Sequence, residues 1–347
     1  MNPAGLFLRA ARREPVPRTP LWFMRQAGRV LPEYRAVRER WSLVEICRQP
    51  ELCTEVTLQP VRRMPLDAAV VFSDIMLPLH GVGVELEIVE GVGPVIGHPV
   101  RSVADLAALR PIEPAADVPW LLETLRILRG ELAPKGVAVL GFAGAPFTLA
   151  SYLVEGRPTR DFVRTKTVMY GDPELWHGLM ERLTVITIAF LEAQLEAGAD
   201  AVQLFDSWVG ALSPPDYARY VEPWVRRIFA ALSARGAPLI HFGTGTTALL
   251  PLMKDDGASV IGVDWRIPLD DAWERIGHRL GIQGNLDPAV LFAPQAVMEA
   301  HAADVLRRAG GRPGHIFNLG HGLLPGTPLE RVLQLAEFVH GRSPACV

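Results

Sequence analysis

The chain has 347 residues, of which 49% are hydrophobic and 21% charged, enough apolar material for a large core and too much for global disorder. Its net charge of −3 lacks the basic excess of a nucleic-acid-binding protein. At this length a single α/β barrel with insertions, one domain spanning 1–347 with loosely packed ends at 1–5 and 342–347, accommodates everything.

In chain order, the opening MNPAGLFLRAARREP has no apolar run long enough for a secretory leader. Short apolar runs that read as strands follow at 21–24, 68–72, 137–140, 201–205, 238–241, 260–263, 281–283 and 315–317. Long helical patterns separate them, clearest at 173–197 and 214–234. Strand alternating with helix predicts a parallel sheet, and eight such strands predict a closed (β/α)8 barrel. A doubly wound open sheet is the competing architecture, weakened because no G-x-G-x-x-G follows the first strands. A hairpin (84–89 with 94–100) and an extra helix (120–130) read as an insertion. The uncharged stretch 136–154 is nearly long enough to span a bilayer, but Gly141, Gly144 and Pro146 divide it into strand, glycine turn and short helix. The three cysteines (Cys47, Cys53, Cys346) form no disulfide or zinc pattern, and the nine histidines include no H-x-H or H-E-x-x-H pair. These features predict a soluble, cytoplasmic protein with no metal site.

Polar residues gather just after the strands: Arg25, Asp74, Asp206 with Ser207, the 241–245 turn, Asp264, Asn285, and Asn318 with His321. In a barrel these positions share the rim on which active sites are built; singly, each reads equally well as a loop starter or helix cap. Arg25, Arg29 and Arg35 flank Gly28, where a sharp turn lets guanidinium groups converge on an anion; pairing with Glu33 and Glu39 is the alternative. Asp74 follows an apolar run directly, and could equally cap the 75–79 stretch. Gly141 and Gly144 permit close backbone approach to a ligand, and Tyr152 beyond them can present a phenol. Ser207 lacks the G-x-S-x-G elbow of a nucleophile and reads as a hydrogen-bond donor. The turn His241-Phe-Gly-Thr-Gly-Thr-Thr247 resembles a weak phosphate cradle that opens a helix. His321, between two glycines, can orient a carboxylate or relay a proton.

The runs MRQAGR with PEYR, PLDAAVVFSD, GFAGAPFTLASYLVEG, QGNLDP and NLGHGLLPGTP, spread from Pro20 to Pro328, resemble the uroporphyrinogen decarboxylase family. That resemblance implies a single distorted (β/α)8 barrel, a homodimer, and removal of carbon dioxide from the four acetate side chains of uroporphyrinogen III without metal or prosthetic group. It implies Arg25 and Arg29 as binders of substrate carboxylates, Asp74 as acceptor of the pyrrole N–H groups, and Tyr152, Ser207 and His321 as the remaining cleft residues. The residue chemistry agrees. Only three lysines occur (Lys135, Lys166, Lys254), none at a strand end where a Schiff base could act as electron sink. A pyrrole protonated on carbon can be its own sink, and an ionised Asp74 would stabilise that cation more than the neutral ring. Arg25 is placed to help deliver the proton, directly or through a bound water. Two rivals are a zinc-dependent corrinoid methyltransferase of the same barrel type, which needs an H-x-C where this chain has His241-Phe-Gly243, and a non-catalytic porphyrinogen or anion carrier.

Overall fold

A computed structural model describes residues 5–89 and 91–343. Cys346, and residues 1–4 and 344–347 of the two ends expected to be loosely packed, lie outside the described residues. The strands are β1 (Ala68–Val70), β2 (Leu86–Val89), β3 (Gly93–Ile96), β4 (Ala138–Gly144), β5 (Ala201–Asp206), β6 (Leu239–Gly243), β7 (Val260–Gly262), β8 (Gly281–Leu286) and β9 (His315–Leu319). All but the β2–β3 pair, an antiparallel hairpin as expected, form one parallel seven-stranded sheet in the order β1-β4-β5-β6-β7-β8-β9. Neighbours in the sheet are neighbours in this sequence, because a helical crossover returns each strand beside the last.

Successive strand residues point to opposite faces. Ala68, Ala138, Leu140, Ala201, Ile240, Phe242, Val260 and Ile316 share one cluster, into which the Leu6–Ala11 helix inserts Phe7 and Ala10. Their neighbours Ala69, Val139, Val202, Ile261, Ile282 and Phe317 belong to a second cluster with the helices. Both faces are therefore buried, as a parallel sheet requires.

Four expectations need correction. Residues 21–24 form no strand. Their link to the sheet is a single bridge from Leu21 to Phe317, with Phe317 N–H donating to the Pro20 carbonyl (2.9 Å). The remaining ladder groups are taken by side chains and turns: Asp67 accepts from Leu21 N–H (2.9 Å), Gln26 from Phe23 N–H (3.0 Å) and Asn318 from Met24 N–H (3.3 Å). The segment still lies between the two edges of the sheet, since Asp67 N–H, just before β1, donates to the Leu21 carbonyl (2.9 Å). Second, the 214–234 helix is two helices, Pro214–Tyr220 and Glu222–Ser233. Pro223 has no N–H to give and its ring would strike the carbonyl four residues back, so the chain breaks at Val221.

Third, β4 runs through Gly141 to Gly144 rather than turning there. A Cβ on Gly141 would lie 2.6 Å from Gln194 Oε1, and one on Gly144 2.7 Å from Leu149 Cδ2. These glycines admit neighbouring helices, not a ligand. Fourth, the 241–245 turn is no phosphate cradle: Gly245 N–H is spent on Asp264 Oδ2 (2.6 Å), and the helix beyond, Leu250–Met253, has one turn. The Pro119–Leu132 and Pro173–Glu196 helices are present, the latter capped by the Asp172 side chain on Leu175 N–H (3.0 Å). Among the described residues no helix is long and apolar enough to cross a membrane.

Candidate active site

A cavity of about 1160 Å³ opens at the carboxyl ends of the strands. Its floor is apolar: Trp22, Met24, Val70, Phe205 and Phe242 are the outermost members of the cluster between the strands. Arg25, Arg29, Asp74, Tyr152, Ser207 and His321 all line it, although they come from five separate stretches of chain. Asp206, Asp264, Asn285 and Asn318, at the same end of the sheet, do not line it. Asn285 is spent on the carbonyls of Asp264 and Ile267, and Asp264 on the Gly245 and Arg266 backbone and the Arg266 guanidinium.

Arg25 sits on a turn that its own φ of 64° makes possible, a left-handed conformation uncommon for a side-chain-bearing residue. Around it the backbone is fixed: Leu323 N–H donates to the Met24 carbonyl (3.0 Å) and Gly28 N–H to the Arg25 carbonyl (3.2 Å). The Arg25 side chain lies over Gly322, where a Cβ would come within 2.6 Å of its Cδ. The carboxylates suggested as local partners do not take these arginines. Glu33 pairs with Arg63 (3.3 Å), and among the described residues Arg25, Arg29 and Arg35 make no ion pair. All three, with Arg38, face the cavity. Arginines left unpaired around a cavity are positioned for an outside anion.

Asp74 accepts from Met76 N–H (2.9 Å) and faces the cavity, but it does not cap the Leu77–Gly81 helix that follows, whose N-cap is Met76 with no side-chain bond. Burial raises its pKa, while the Met76 amide and the Arg25 guanidinium pull the other way. Tyr152, on the Pro146–Glu155 helix, is pushed up to about 12 by burial and then by the Asp74 charge, so its phenol stays protonated and can donate. Burial, then the neighbouring Arg25, push His321 down to about 4. Gly322 N–H donates to His321 Nδ1 (2.7 Å), which leaves the proton of the neutral ring on Nε2. The ring is thus neutral near neutral pH and presents its Nε2–H as a hydrogen-bond donor.

Sequence reasoning missed the cavity's aromatic walls, Phe72, Phe142, Phe205, Phe242 and Trp208, and the hairpin residues Ile88, Val89 and Gly91 to Pro94 along one side. The signal for the walls was an aromatic at the end of several apolar runs. It missed Arg38 as well, which continues the series Arg25, Arg29, Arg35. Lys166 lies away from the cavity, its Nζ donating to the Ala211 carbonyl (2.7 Å).

Fold and cavity together define an α/β protein with an arginine-lined, aromatic-walled site at the carboxyl ends of a parallel sheet. The model of the uroporphyrinogen decarboxylase (URO-D) family matches residues 2–342. A uroporphyrinogen decarboxylase of Streptomyces coelicolor is 58% identical over 334 residues, 96% of this chain and 93% of the relative. One of Thermus thermophilus is 55% identical over 96% of this chain and 97% of the relative. The chain belongs to the uroporphyrinogen decarboxylase family. Among solved structures, a methyltransferase from Methanosarcina mazei matches with a TM-score of 0.77 at 22% identity over 96% of both chains. A B12-independent methionine synthase from Shewanella matches with a TM-score of 0.57 at 11% identity over 86% of this chain and 88% of that one. At these identities the likeness is one of fold.

Proposed function

We propose that this chain removes carbon dioxide from the four acetate side chains of uroporphyrinogen III, giving coproporphyrinogen III in haem biosynthesis. The observation that carries the reading is the meeting of arginines that make no ion pair among the described residues, a carboxylate and aromatic walls around one large cavity in a member of this family. A porphyrinogen has an apolar body, a rim of carboxylates and inward pyrrole N–H groups, and each has its complement here. Arg25 and Arg29 take substrate carboxylates, Asp74 accepts pyrrole N–H groups, and Tyr152, Ser207 and neutral His321 donate hydrogen bonds.

In each round a proton adds to a pyrrole carbon beside the acetate-bearing position, and the ring becomes cationic. The bond to the carboxylate carbon then breaks, carbon dioxide leaves, and its electron pair flows into the ring. Protonation of the exocyclic carbon gives a methyl group, and loss of the ring proton restores the pyrrole, so one proton is consumed per carbon dioxide. Donated pyrrole N–H bonds lower the pKa that burial has raised at Asp74, and the ionised carboxylate stabilises the cation more than the neutral ring. Arg25 helps to deliver the proton, directly or through a bound water. The reaction so written uses no metal and no prosthetic group.

The finer architecture belongs to the same reading: the chain is one domain, a distorted (β/α)8 barrel in which 20–24 acts as the eighth stave between β9 and β1, and it works as a cytoplasmic homodimer. The zinc methyltransferase alternative is disfavoured by position. His241 is fully buried, its Nδ1 2.5 Å from Asp256, and Gly243 stands where a thiolate is required. Anaerobic incubation with uroporphyrinogen III, followed by oxidation and chromatography, should show seven-, six-, five- and four-carboxylate porphyrins in succession. Asp74→Ala should keep its fold by circular dichroism and lose turnover by about 100-fold or more. An unchanged eight-carboxylate peak with the parent enzyme refutes decarboxylation and leaves a carrier, while near-parental activity of the variant removes Asp74 from its role.

A further inference from the structure

One peptide bond of the cavity wall is gripped from both sides. Between Ser207 and Trp208, the carbonyl accepts from Thr244 Oγ1 (2.7 Å) and the N–H donates to Thr148 Oγ1 (3.3 Å). Neither threonine lines the cavity, but Ser207, Trp208 and Tyr152 do. Thr148 is one helical turn before Tyr152, so both project from the same face of the Pro146–Glu155 helix. The Trp208 ring meets that of Tyr152 edge-on at 5.9 Å and that of Phe162 at 5.7 Å. A rotation of this one peptide would therefore displace a hydroxyl, an indole and, through ring contact, a phenol.

The direction of the Thr148 hydroxyl is itself fixed. Thr148 Oγ1 donates to Asp206 Oδ1 (3.0 Å), and a hydroxyl whose proton is committed offers its lone pairs to the Trp208 N–H. Asp206 is fully buried, and its charge is balanced from behind by His241, whose Nε2 is 3.6 Å from Asp206 Oδ2 and whose Nδ1 is 2.5 Å from Asp256 Oδ2. On the other side, Thr244 belongs to the glycine turn that is no anion cradle. That turn packs so closely on the Ser207–Trp208 loop that a Cβ on Gly210 would lie 2.1 Å from the Thr244 carbonyl oxygen. This gives the HFGTG run a purpose.

We propose that Thr148 and Thr244 are positioning residues that clamp the Ser207–Trp208 peptide, and so set where Ser207, Trp208 and Tyr152 meet the substrate. The proposal rests on the decarboxylase reading for its substrate. Its test uses Thr148→Val and Thr244→Val, which keep the side-chain shape and remove the hydroxyl, with Thr148→Ser and Thr244→Ser as rescues. Each valine variant should lower kcat/KM for uroporphyrinogen III about tenfold, since misplacing a substrate group by a fraction of an ångström is felt on that scale. Each should also raise the Kd for uroporphyrin III, the oxidised ring, several-fold by fluorescence quenching, with melting temperature shifted by less than about 4 °C. The serine variants should stay within about twofold of the parent, and the double valine variant should be little worse than either single, because both act on one peptide. Parental kcat/KM and Kd in the valine variants, no rescue by serine, or effects that multiply would each overturn the clamp. Should Thr148→Val not fold, Thr244→Val decides alone. A parent that binds uroporphyrin III but never decarboxylates would instead overturn the decarboxylase reading, and the Kd values would still decide the clamp.

Discussion

Gly322→Ala tests whether Arg25 is held where catalysis needs it. The added methyl would lie 2.6 Å from Arg25 Cδ, 2.7 Å from Cγ and 3.1 Å from Nε. These atoms form the stem of the side chain, so the whole guanidinium must swing rather than its tip alone. The backbone of Arg25 cannot follow easily, since it already occupies the left-handed region at φ 64° and its neighbour Met24 is bonded on both sides. Restoring ordinary contact distance requires a shift on the order of 1 Å at the stem and more at the guanidinium, a misplacement that costs about 100-fold in rate. Gly322 itself has no left-handed backbone to strain, so the fold should survive with its melting temperature lowered by less than about 4 °C. Steady-state decarboxylation of uroporphyrinogen III beside a thermal melt separates the two effects. Combined with Arg25→Ala, which removes the colliding stem, Gly322→Ala should add almost nothing. Parental turnover in Gly322→Ala would refute the placement of Arg25 or its role. So would a loss of rate that persists undiminished on the Arg25→Ala background.

Two further outcomes concern stability. Asp67 receives two bonds from Arg18 (2.7 and 2.8 Å) and the Leu21 N–H, with His340 at 3.2 Å, so Asp67→Ala should cost about 3 kcal/mol in urea unfolding with little change in slope; a loss below about 1 kcal/mol would contradict this. For His241, burial alone would depress the pKa, but the Asp256 and Asp206 carboxylates hold it at about 9. Tyr217, fully buried nearby, has its pKa raised by burial and then by those same carboxylates and Glu222. A raised folded pKa stabilises fully below the unfolded value of about 6.5 and is lost as pH climbs through about 9, a contribution on the order of 3 kcal/mol. Unfolding free energy should therefore fall between pH 6.5 and 9.5 in the parent and flatten in His241→Asn; equal slopes would show that His241 is not charged in the folded protein.

Most strands were legible in the sequence, because strand ends announce themselves locally as an apolar run followed by a polar residue; the set of six proposed site residues came through the family resemblance, and all six line the cavity. What was illegible depends on partners far along the chain. Residues 21–24 have the composition of a strand, yet Asp67, Gln26 and Asn318 side chains occupy their ladder positions. Gly141 and Gly144 look like ligand-approach glycines until Gln194 and Leu149 are seen against them. The threonines behind Ser207 lie inside runs that the sequence singled out, but their task was not readable there, since a hydroxyl that grips a backbone 37 or 60 residues away leaves no periodic trace. The break before Pro223 is legible from the proline itself, although the apolar pattern runs on across it.

The join between 20–24 and β9 also bears on how the molecule comes into being. Arg25 leaves the ribosome early, but the glycine it rests on is about 300 residues downstream, and so is the asparagine that fixes Met24. Contacts of such long sequence separation carry the largest loop-closure entropy and form after local ones. Nascent chains ending before β9 can pair β1, β4 and β5 in order while their arginine loop has no seat. Catalytic competence would then arrive only once β9 and the turn after it have been made, well after the sheet has begun to assemble.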